Sequence, residues 1–319
     1  MTRQSHLLNV IVDACQLRGS VLCFDLKASN GADLPVWEAG AHIDLYLEEG
    51  LIRQYSLCGN PADRKRYSLA VLLDPKSRGG SIAVHRLVRD GVQLQISLPR
   101  NLFPLDCDAE SSLLIGGGIG VTPMIAMAYE LYDKAQNFAL HYVARDPVFA
   151  PVLQALPFAD HVVIHDHSQA ERPRFNVQNT LAQWIDQNGS GVHVYVCGPE
   201  GLMQAVAQAG RACGLPEEHV HQEAFSAQPV EGGAGFEVLA AKSGVRVQVA
   251  EDETIAAAFA RSGVRVPVSC EQGICGTCVV SVLEGEPDHR DEYLTDEEKT
   301  DQIALCCSRS KTPLLVVDL

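Results

Sequence analysis

Three cysteines stand close together near the C-terminal end of the sequence, within the stretch S-C-E-Q-G-I-C-G-T-C. Cys270, Cys275 and Cys278 follow the spacing C-x4-C-x2-C, which is the plant-type [2Fe–2S] spacing, with a fourth thiolate supplied by a distant segment. Gly273 and Gly276 allow the tight backbone path that a loop around a small cluster requires. The spacing therefore predicts a [2Fe–2S] centre held by cysteine thiolates.

A structural zinc site or a redox-active cysteine pair is the alternative for this stretch. A zinc ribbon needs two C-x2-C pairs, and the sequence has only the pair Cys275 and Cys278. A thioredoxin-type pair should open a helix, whereas the residues that follow, C-V-V-S-V-L (278–283), have the pattern of a strand. The iron–sulfur interpretation is therefore favoured.

The fourth ligand is either Cys306 or Cys307, and spacing alone does not separate them. Residues 236–319 resemble plant-type ferredoxin domains, whose tail is a cysteine, an apolar residue and then Ser-Arg. The sequence has L-C-C-S-R at 305–309. The resemblance implies that Cys306 is the ligand, that Cys307 takes the apolar place, and that this region has a ferredoxin-like (β-grasp) α+β fold.

A glycine-rich run, G-G-G-I-G-V-T-P (116–123), lies between a strand pattern and a helix pattern. It departs from G-x-G-x-x-G because Val121 stands where the third glycine belongs. At a strand-to-helix turn, however, free backbone amides and the helix dipole favour a pyrophosphate. The run predicts a nucleotide-binding turn, and an ordinary tight turn is the alternative.

Two further stretches follow in the same region, Cys197-Gly198-Pro199 and E-A-F at 223–225. Together with the glycine run they resemble the pyridine-nucleotide domain of the ferredoxin–NADP reductase superfamily. The resemblance implies that Thr122 and Cys197 flank the nicotinamide and that Glu223 and Phe225 close the site near a flavin. The nucleotide-binding residues implied in this way are Gly116, Gly117, Gly118, Gly120, Thr122, Pro123, Cys197, Gly198 and Pro199.

A flavin site is indicated by R-Q-Y-S at positions 53–56, since the superfamily carries R-x-Y-S in its flavin-binding barrel. Arg53 can pair with a phosphate, and Tyr55 offers a ring and a hydroxyl. Ser56 can hydrogen-bond the flavin near N5, where hydride arrives. Gln54, within the same stretch, is included in the predicted flavin site.

A second glycine pair, in R-G-G-S (78–81), precedes the helix pattern I-A-V-H-R-L-V. Gly79, Gly80 and Ser81, with the serine at the expected N-cap, would form an anion cradle from backbone amides. Arg53 and this turn could then hold one phosphate between them. That favours FMN over FAD, because FAD would need an adenine-binding segment that the sequence does not reveal.

The surrounding patterns divide the chain into regions that would position these residues. Alternating apolar stretches such as 41–47, 67–73 and 92–98 predict an antiparallel sheet or barrel. Alternating strand and helix patterns then predict a doubly wound parallel sheet. The predicted domains are an FMN-binding β-barrel at 1–106, an NAD-binding α/β domain at 107–228, a linker at 229–235 and a ferredoxin domain at 236–319.

Composition excludes some partners. The formal net charge is −15 and no basic stripe is visible, which argues against nucleic acid and anionic membranes. We find neither a signal peptide nor an apolar run long enough to span a membrane, so a cytoplasmic location is expected. A monomer is the default expectation.

The order flavin, nucleotide, ferredoxin resembles the phthalate dioxygenase reductase family from about Val10 to Leu319. The resemblance implies that FMN, NADH and a [2Fe–2S] cluster serve a separate Rieske-type oxygenase acting on an aromatic or similar small substrate. NADH is favoured over NADPH because Asp146 and Asp166 accompany Arg145 at the strand ends where a 2′-phosphate would bind. A reductase for a cytochrome P450 or diiron hydroxylase, or a redox-sensing module without turnover, remains an alternative.

Overall fold

The computed structural model describes residues 7–48, 51–75, 79–168, 174–225, 232–268, 271, 273, 276–291 and 293–319. The chain divides into two compact units, Met1–Phe225 and Ser226–Leu319. Each unit has buried apolar residues of its own. The flavin and nucleotide motifs belong to the first unit, and the cysteine cluster belongs to the second.

The first unit opens with a seven-stranded antiparallel sheet. Its strands are β1 (Leu8–Arg18), β2 (Val21–Ala28), β3 (Ala41–Tyr46), β4 (Ile52–Ser56), β5 (Tyr67–Leu72), β6 (Gln93–Ile96) and β7 (Arg100–Asn101), with helix α1 (Gly80–Leu87) between β5 and β6. The order is β4-β3-β6-β1-β2-β5, and β7 pairs with β3. Buried alternate residues such as Phe24, Leu26, Ile43 and Leu45 form the core of this sheet. The predicted antiparallel flavin sheet is confirmed.

A five-stranded parallel sheet follows in the same unit. Its elements are β8 (Ser111–Gly117), α2 (Val121–Asp133), β9 (Asn137–Ala144), α3 (Ala150–Leu153), β10 (Val162–Asp166), α4 (Val177–Asn188), β11 (Val192–Cys197), α5 (Glu200–Ala212) and β12 (Val220–Glu223). The strand order is β10-β9-β8-β11-β12, with every pairing parallel. The chain winds in opposite directions from β8, so the switch point lies between β8 and β11, where α/β sheets bind ligands at the carboxyl ends of strands.

The second unit is a mixed sheet with one helix. Its elements are β13 (Phe236–Ala240), β14 (Val245–Val249), α6 (Ile255–Arg261), β15 (Val279–Glu284), β16 (Pro287–Asp288), β17 (Gln302–Ala304), β18 (Arg309–Ser310) and β19 (Leu314–Val317). The main sheet runs β14-β13-β19-β15-β17, and β16 pairs with β18. β13 pairs in parallel with β19 and antiparallel with β14. The predicted α+β ferredoxin-like fold is confirmed.

Two local features position the first elements of this unit. The hairpin of β13 and β14 turns at Gly244, which has φ 69°. Helix α6 begins at Ile255, directly after Thr254. Thr254 caps it by accepting a hydrogen bond from the Ala257 amide at 3.1 Å, because a threonine hydroxyl at this position satisfies an otherwise unpaired N–H group.

No helix in the part of the chain that the structure describes is both long and apolar enough to cross a membrane.

Candidate functional site

The glycine run and the Cys-Gly-Pro stretch come together at the switch point of the parallel sheet. β8 ends at Gly117, and its neighbour β11 ends at Cys197. A side-chain Cβ at Gly117 would lie 2.7 Å from Cδ of Pro199, and one at Gly120 would overlap the Cys197 carbonyl group. Only glycine permits these two turns to touch. Gly118, at φ 58°, supplies the left-handed residue of the turn.

Helix α2 starts directly from this turn. Gly118–Gly120 form a short 3-10 segment, and Val121 is the first residue of α2. Thr122 is buried, and its hydroxyl donates to the Ile119 carbonyl at 3.0 Å. Pro123 lies in the first turn, where its missing N–H group costs nothing. The first-turn amides of α2 therefore lie beside the crevice, which is the arrangement that binds a pyrophosphate.

A second group of predicted residues meets beside this crevice. Cys197 is paired in register with Gly116 of β8 on one side and with Glu223 of β12 on the other. Ser56, the last residue of β4, donates through its hydroxyl to Glu223 Oε2 at 3.5 Å. The structure thus joins residues from both sheets of the first unit. Phe225 follows two residues later and is 37% exposed.

The electrostatics of this group favour its neutral forms. Burial raises the pKa of Glu223 to about 8, although the Ser56 hydroxyl opposes the shift. Burial also raises the pKa of the Cys197 thiol well above its ordinary value, and the Glu223 carboxylate adds to this. At neutral pH the group therefore offers a carboxylic acid and a thiol rather than two anions.

The predicted flavin-phosphate residues also come together. A Cβ at Gly80 would lie 2.6 Å from Cγ of Arg53, so the arginine stem packs directly on the glycine turn. Gln54 Nε2 lies 3.1 Å from His42 Nε2, and Tyr55 is half-buried opposite Ile43 in β3. A cation packed on a backbone turn at a helix start fits a single phosphate group.

The expected N-cap of α1 was wrong. Helix α1 begins at Gly80, and the cap position is taken by Gly79 at φ 86°, a left-handed conformation that glycine adopts without strain. Ser81 lies inside the first turn. Its hydroxyl accepts from the Asp74 amide at 3.1 Å and donates to the Asp74 carbonyl at 3.3 Å, which fixes the chain ahead of the turn. Arg78 lies outside the described residues.

In the second unit, two of the four predicted cluster ligands can be placed. Cys278 and Cys306 are both buried. Val279 of β15 is paired with Ala304 of β17, and the Leu305 amide donates to the Cys278 carbonyl at 3.3 Å. The sheet register therefore brings the two cysteine segments side by side. Cys270 and Cys275 lie outside the described residues.

The glycines of the cysteine loop behave as predicted. Gly273 has φ 75° and Gly276 has φ 68°. A Cβ at Gly273 would lie 2.6 Å from Cys307 Sγ, and one at Gly276 would overlap the Tyr293 ring. This tight loop over buried thiols fits a small thiolate-bound cluster. Cys307 is itself close to the loop, so the choice of Cys306 stays a prediction.

Two buried charged residues of the second unit, Asp291 and Arg309, were not predicted from the sequence. Asp291 is buried and accepts a hydrogen bond from the Ser308 hydroxyl at 3.0 Å. Arg309 is also buried, and its guanidinium donates to the carbonyls of Glu253 and Ala250, each at 2.9 Å. The Ser-Arg pair of the tail was the only signal. Ser308 and Asp291 are 17 positions apart, and Arg309 is more than fifty positions from Glu253 and Ala250.

The fold and these sites define a pyridine-nucleotide-dependent oxidoreductase with a [2Fe–2S] domain. Residues 114–208 match the oxidoreductase NAD-binding domain family, and residues 239–311 match the 2Fe-2S iron-sulfur cluster binding domain family. Vanillate O-demethylase oxidoreductase from Pseudomonas sp. (strain HR199 / DSM 7063) is 45% identical over 321 aligned residues, covering 98% of this chain and 100% of the relative.

Two solved structures extend the comparison. Phthalate dioxygenase reductase, described as a modular structure for electron transfer from pyridine nucleotides to [2Fe–2S], has 36% identity and a TM-score of 0.75, with 98% of each chain covered. An intact type IV self-sufficient cytochrome P450 monooxygenase has 35% identity and a TM-score of 0.81, covering 98% of this chain and 41% of the larger one. The chain belongs to the phthalate dioxygenase reductase family. The predicted family, the nucleotide-binding domain and the [2Fe–2S] domain are confirmed.

The packing of Arg53 on Gly80 leads to a test of the phosphate site. Arg53→Gln, and Gly80→Ala through displacement of the arginine, are expected to weaken FMN binding by about 10- to 100-fold, the usual cost of losing a charged hydrogen bond. Fluorescence titration of the apoprotein with FMN measures this. Riboflavin lacks the phosphate and is the control. An equal loss of riboflavin affinity would mean that the two residues hold the ring rather than the phosphate.

Proposed function

We propose that this chain takes a hydride from NADH onto FMN and passes single electrons through the [2Fe–2S] cluster to a separate Rieske-type oxygenase acting on an aromatic or similar small substrate. The match to vanillate O-demethylase oxidoreductase along the whole chain is the observation that supports this. Bound flavin supplies the step from the two-electron chemistry of nicotinamide to the one-electron chemistry of the cluster. Because the proposed reaction consumes NADH, we place the protein in the cytoplasm.

In this proposal the residues of the crevice bind and orient the two rings. The amides at the start of α2, with Gly116–Gly120 and Pro199, hold the pyrophosphate. Thr122, in the first turn of α2, and Cys197, at the end of β11, are both buried beside this crevice and would flank the nicotinamide. The Ser56 hydroxyl and the neutral Glu223 carboxyl hold hydrogen-bonding protons at the flavin side, and Phe225 covers the site. A neutral lining opposes hydride transfer less than an anionic one.

The cluster would be held by Cys270, Cys275, Cys278 and Cys306. We assign the flavin domain to residues 1–106, the nucleotide domain to 107–228 and the ferredoxin domain to 236–319, with 229–235 as the linker. The backbone groups freed by the left-handed residues of the cysteine loop would donate to the cluster sulfurs, as is usual for such loops.

Reconstitution with the oxygenase component of a vanillate demethylase tests the proposed acceptor. With NADH and vanillate present, we expect demethylation in step with NADH consumption, and a Cys278→Ser variant should abolish it. If the chain reduces cytochrome c rapidly but does not support this oxygenase, the assignment as a reductase stands and the proposed acceptor is wrong. Absence of any NADH-dependent turnover would instead support a redox-sensing module.

A cytochrome P450 is the second candidate acceptor, and the match to the self-sufficient P450 monooxygenase favours it. In that relative the matched region is part of one chain with the P450. Reduction of an isolated P450 haem domain in the presence of carbon monoxide would give a Soret shift. A faster rate with this acceptor than with the Rieske oxygenase would reverse our choice.

The choice of NADH is open to a direct test. Asp166 ends β10 beside Ala144, the end of β9, and its Oδ1 accepts from the Ser168 amide at 2.9 Å. A fixed carboxylate at this edge repels a 2′-phosphate, and Asp166→Asn is expected to raise kcat/KM for NADPH about tenfold. The kcat/KM for NADH should stay within about threefold of its original value. Asp160→Asn, which lies ahead of β10 at the opposite end of that strand, is the matched control, and an equal gain there would show that net charge, not Asp166, sets the preference.

A further inference from the structure

Two histidines and an aspartate converge at the other end of β11 and β12. His193 lies near the start of β11 and His221 near the start of β12. His193 Nδ1 and His221 Nε2 are 2.9 Å apart, and His193 Nδ1 is 3.9 Å from Asp106 Oδ2. Asp106 belongs to the segment that joins β7 to β8. The function described above uses none of these three side chains.

The spacing of their ligand atoms suits one metal ion. The three atoms lie within 4.8 Å of one another. Ligands at about 2.05 Å from a tetrahedral ion are roughly 3.3 Å apart, so small side-chain rotations would be enough. We propose that Asp106, His193 and His221 form a binding site for a divalent transition-metal ion such as Zn²⁺. Imidazole and carboxylate are ordinary ligands of this class of ion.

The surroundings hold the ligands in place. Asp106 Oδ1 accepts from the Asp108 amide at 2.8 Å, which leaves Oδ2 toward His193, and the Asp106 amide donates to the Tyr195 hydroxyl at 2.8 Å. His221 stacks on the Tyr195 ring at 4.5 Å. Such outer contacts orient metal ligands and contribute to affinity.

The protonation of the imidazoles also suits a metal. Burial lowers the pKa of His221 to about 4 and lowers that of His193 below its ordinary value. Both rings are therefore neutral at pH 7. One nitrogen of the hydrogen bond between His193 Nδ1 and His221 Nε2 carries a proton, so a change of tautomer in that ring frees both nitrogens for a metal.

A similar histidine pair on the same sheet supplies a control. His141 Nδ1 and His165 Nε2 are also 2.9 Å apart, and their rings stack at 5.1 Å. Within the described ranges, no third metal-binding side chain accompanies this pair. Of the two histidine pairs, the pair of His193 and His221 has a carboxylate beside it, that of Asp106. The proposed metal site therefore depends on Asp106.

The ion would have a structural role. His193 lies four residues before Cys197 on the same strand, which at about 3.3 Å per residue is roughly 13 Å away. That is too far for contact with the nicotinamide-binding residues. By joining Asp106 to His193 and His221, the ion would tie the segment between the two sheets to the edge of the parallel sheet.

The site can be tested by equilibrium dialysis of the untagged holoenzyme against zinc. Metal analysis measures the bound zinc, and the absorbance of the iron–sulfur cluster is monitored during dialysis. Wild-type protein is expected to bind one zinc ion per chain that Asp106→Asn and His221→Gln bind at least about tenfold more weakly. His165→Gln should bind zinc like wild type. Zinc should also raise the Tm of wild type and of His165→Gln, but not that of Asp106→Asn.

Equal zinc uptake by wild type and Asp106→Asn would overturn the site, as would the absence of uptake by wild type. Since Asp106→Asn preserves size and the backbone contact to Tyr195, its folding is expected to be intact, and the flavin spectrum reports this. Reduction of the flavin by NADH should be unchanged in wild type and in the three variants. Failure of the zinc site can therefore be distinguished from failure of the proposed function.

Discussion

Cys306→Ser is expected to abolish the iron–sulfur absorbance and to slow NADH-dependent reduction of the proposed oxygenase on the order of 100-fold, because we assign Cys306 as the fourth thiolate of the cluster through which electrons would leave. Reduction of the flavin by NADH should continue at its original rate, since the first unit has a core of its own. Visible absorbance, iron analysis and stopped-flow reduction measure the three quantities.

The adjacent cysteine is the matched control. Cys307 is equally buried, and Ala replaces it as a small apolar residue. Cys307→Ala should keep the cluster and most of the electron transfer, whereas Cys278→Ser should behave like Cys306→Ser. If Cys307→Ala lost the cluster and Cys306→Ser kept it, the fourth ligand would be Cys307.

The second large effect is a pH dependence that comes from Glu223. With its pKa raised to about 8 by burial, the side chain is neutral at pH 7 and ionises above pH 8. In the proposed site the Glu223 carboxylate would lie beside the hydride acceptor and oppose the arrival of negative charge, so the rate of flavin reduction should fall by up to about tenfold per pH unit above pH 8. Stopped-flow reduction by saturating NADH from pH 6 to 9.5 measures the profile.

Two variants define the cause. Glu223→Gln stays neutral and should hold its rate to pH 9.5. Ser56→Ala removes the hydroxyl that lowers the pKa of Glu223, so the midpoint should move to higher pH whatever happens to the absolute rate. A wild-type profile that stays flat to pH 9.5, or the same fall in Glu223→Gln, would contradict this role.

The same ionisation affects stability with a definite sign. Between pH 4.5 and about 8, folded Glu223 holds a proton that the unfolded chain has released. The free energy of unfolding therefore falls as pH rises through this window. The Tm of Glu223→Gln relative to wild type should increase from pH 5 to pH 8.

Some features of this protein follow from short-range patterns in the sequence. The apolar stretches at 112–115, 138–144 and 192–197 lie in β8, β9 and β11, because the strands of a parallel sheet covered by helices are rich in apolar residues. The glycine positions were also visible locally, since a left-handed backbone at Gly118, Gly273 and Gly276 favours glycine. At Gly273 and Gly276 a Cβ would in addition clash with Cys307 and Tyr293. The N-cap of α1 was placed two residues late because Gly79, not a side chain, takes that position.

By itself the sequence predicted the cofactor classes, their order along the chain and candidate segments to bind them, because each motif is a local constraint of turn geometry and ligand spacing. Only the tertiary structure decided which residues meet. Ser56 reaches Glu223 across 167 positions, and Asp106, from the segment before β8, comes close to His193 and His221 on the neighbouring strands β11 and β12. Such neighbours are set by strand order and crossover connections, which no local pattern encodes, and the burial that raises the pKa of Glu223 exists only once both sheets are packed.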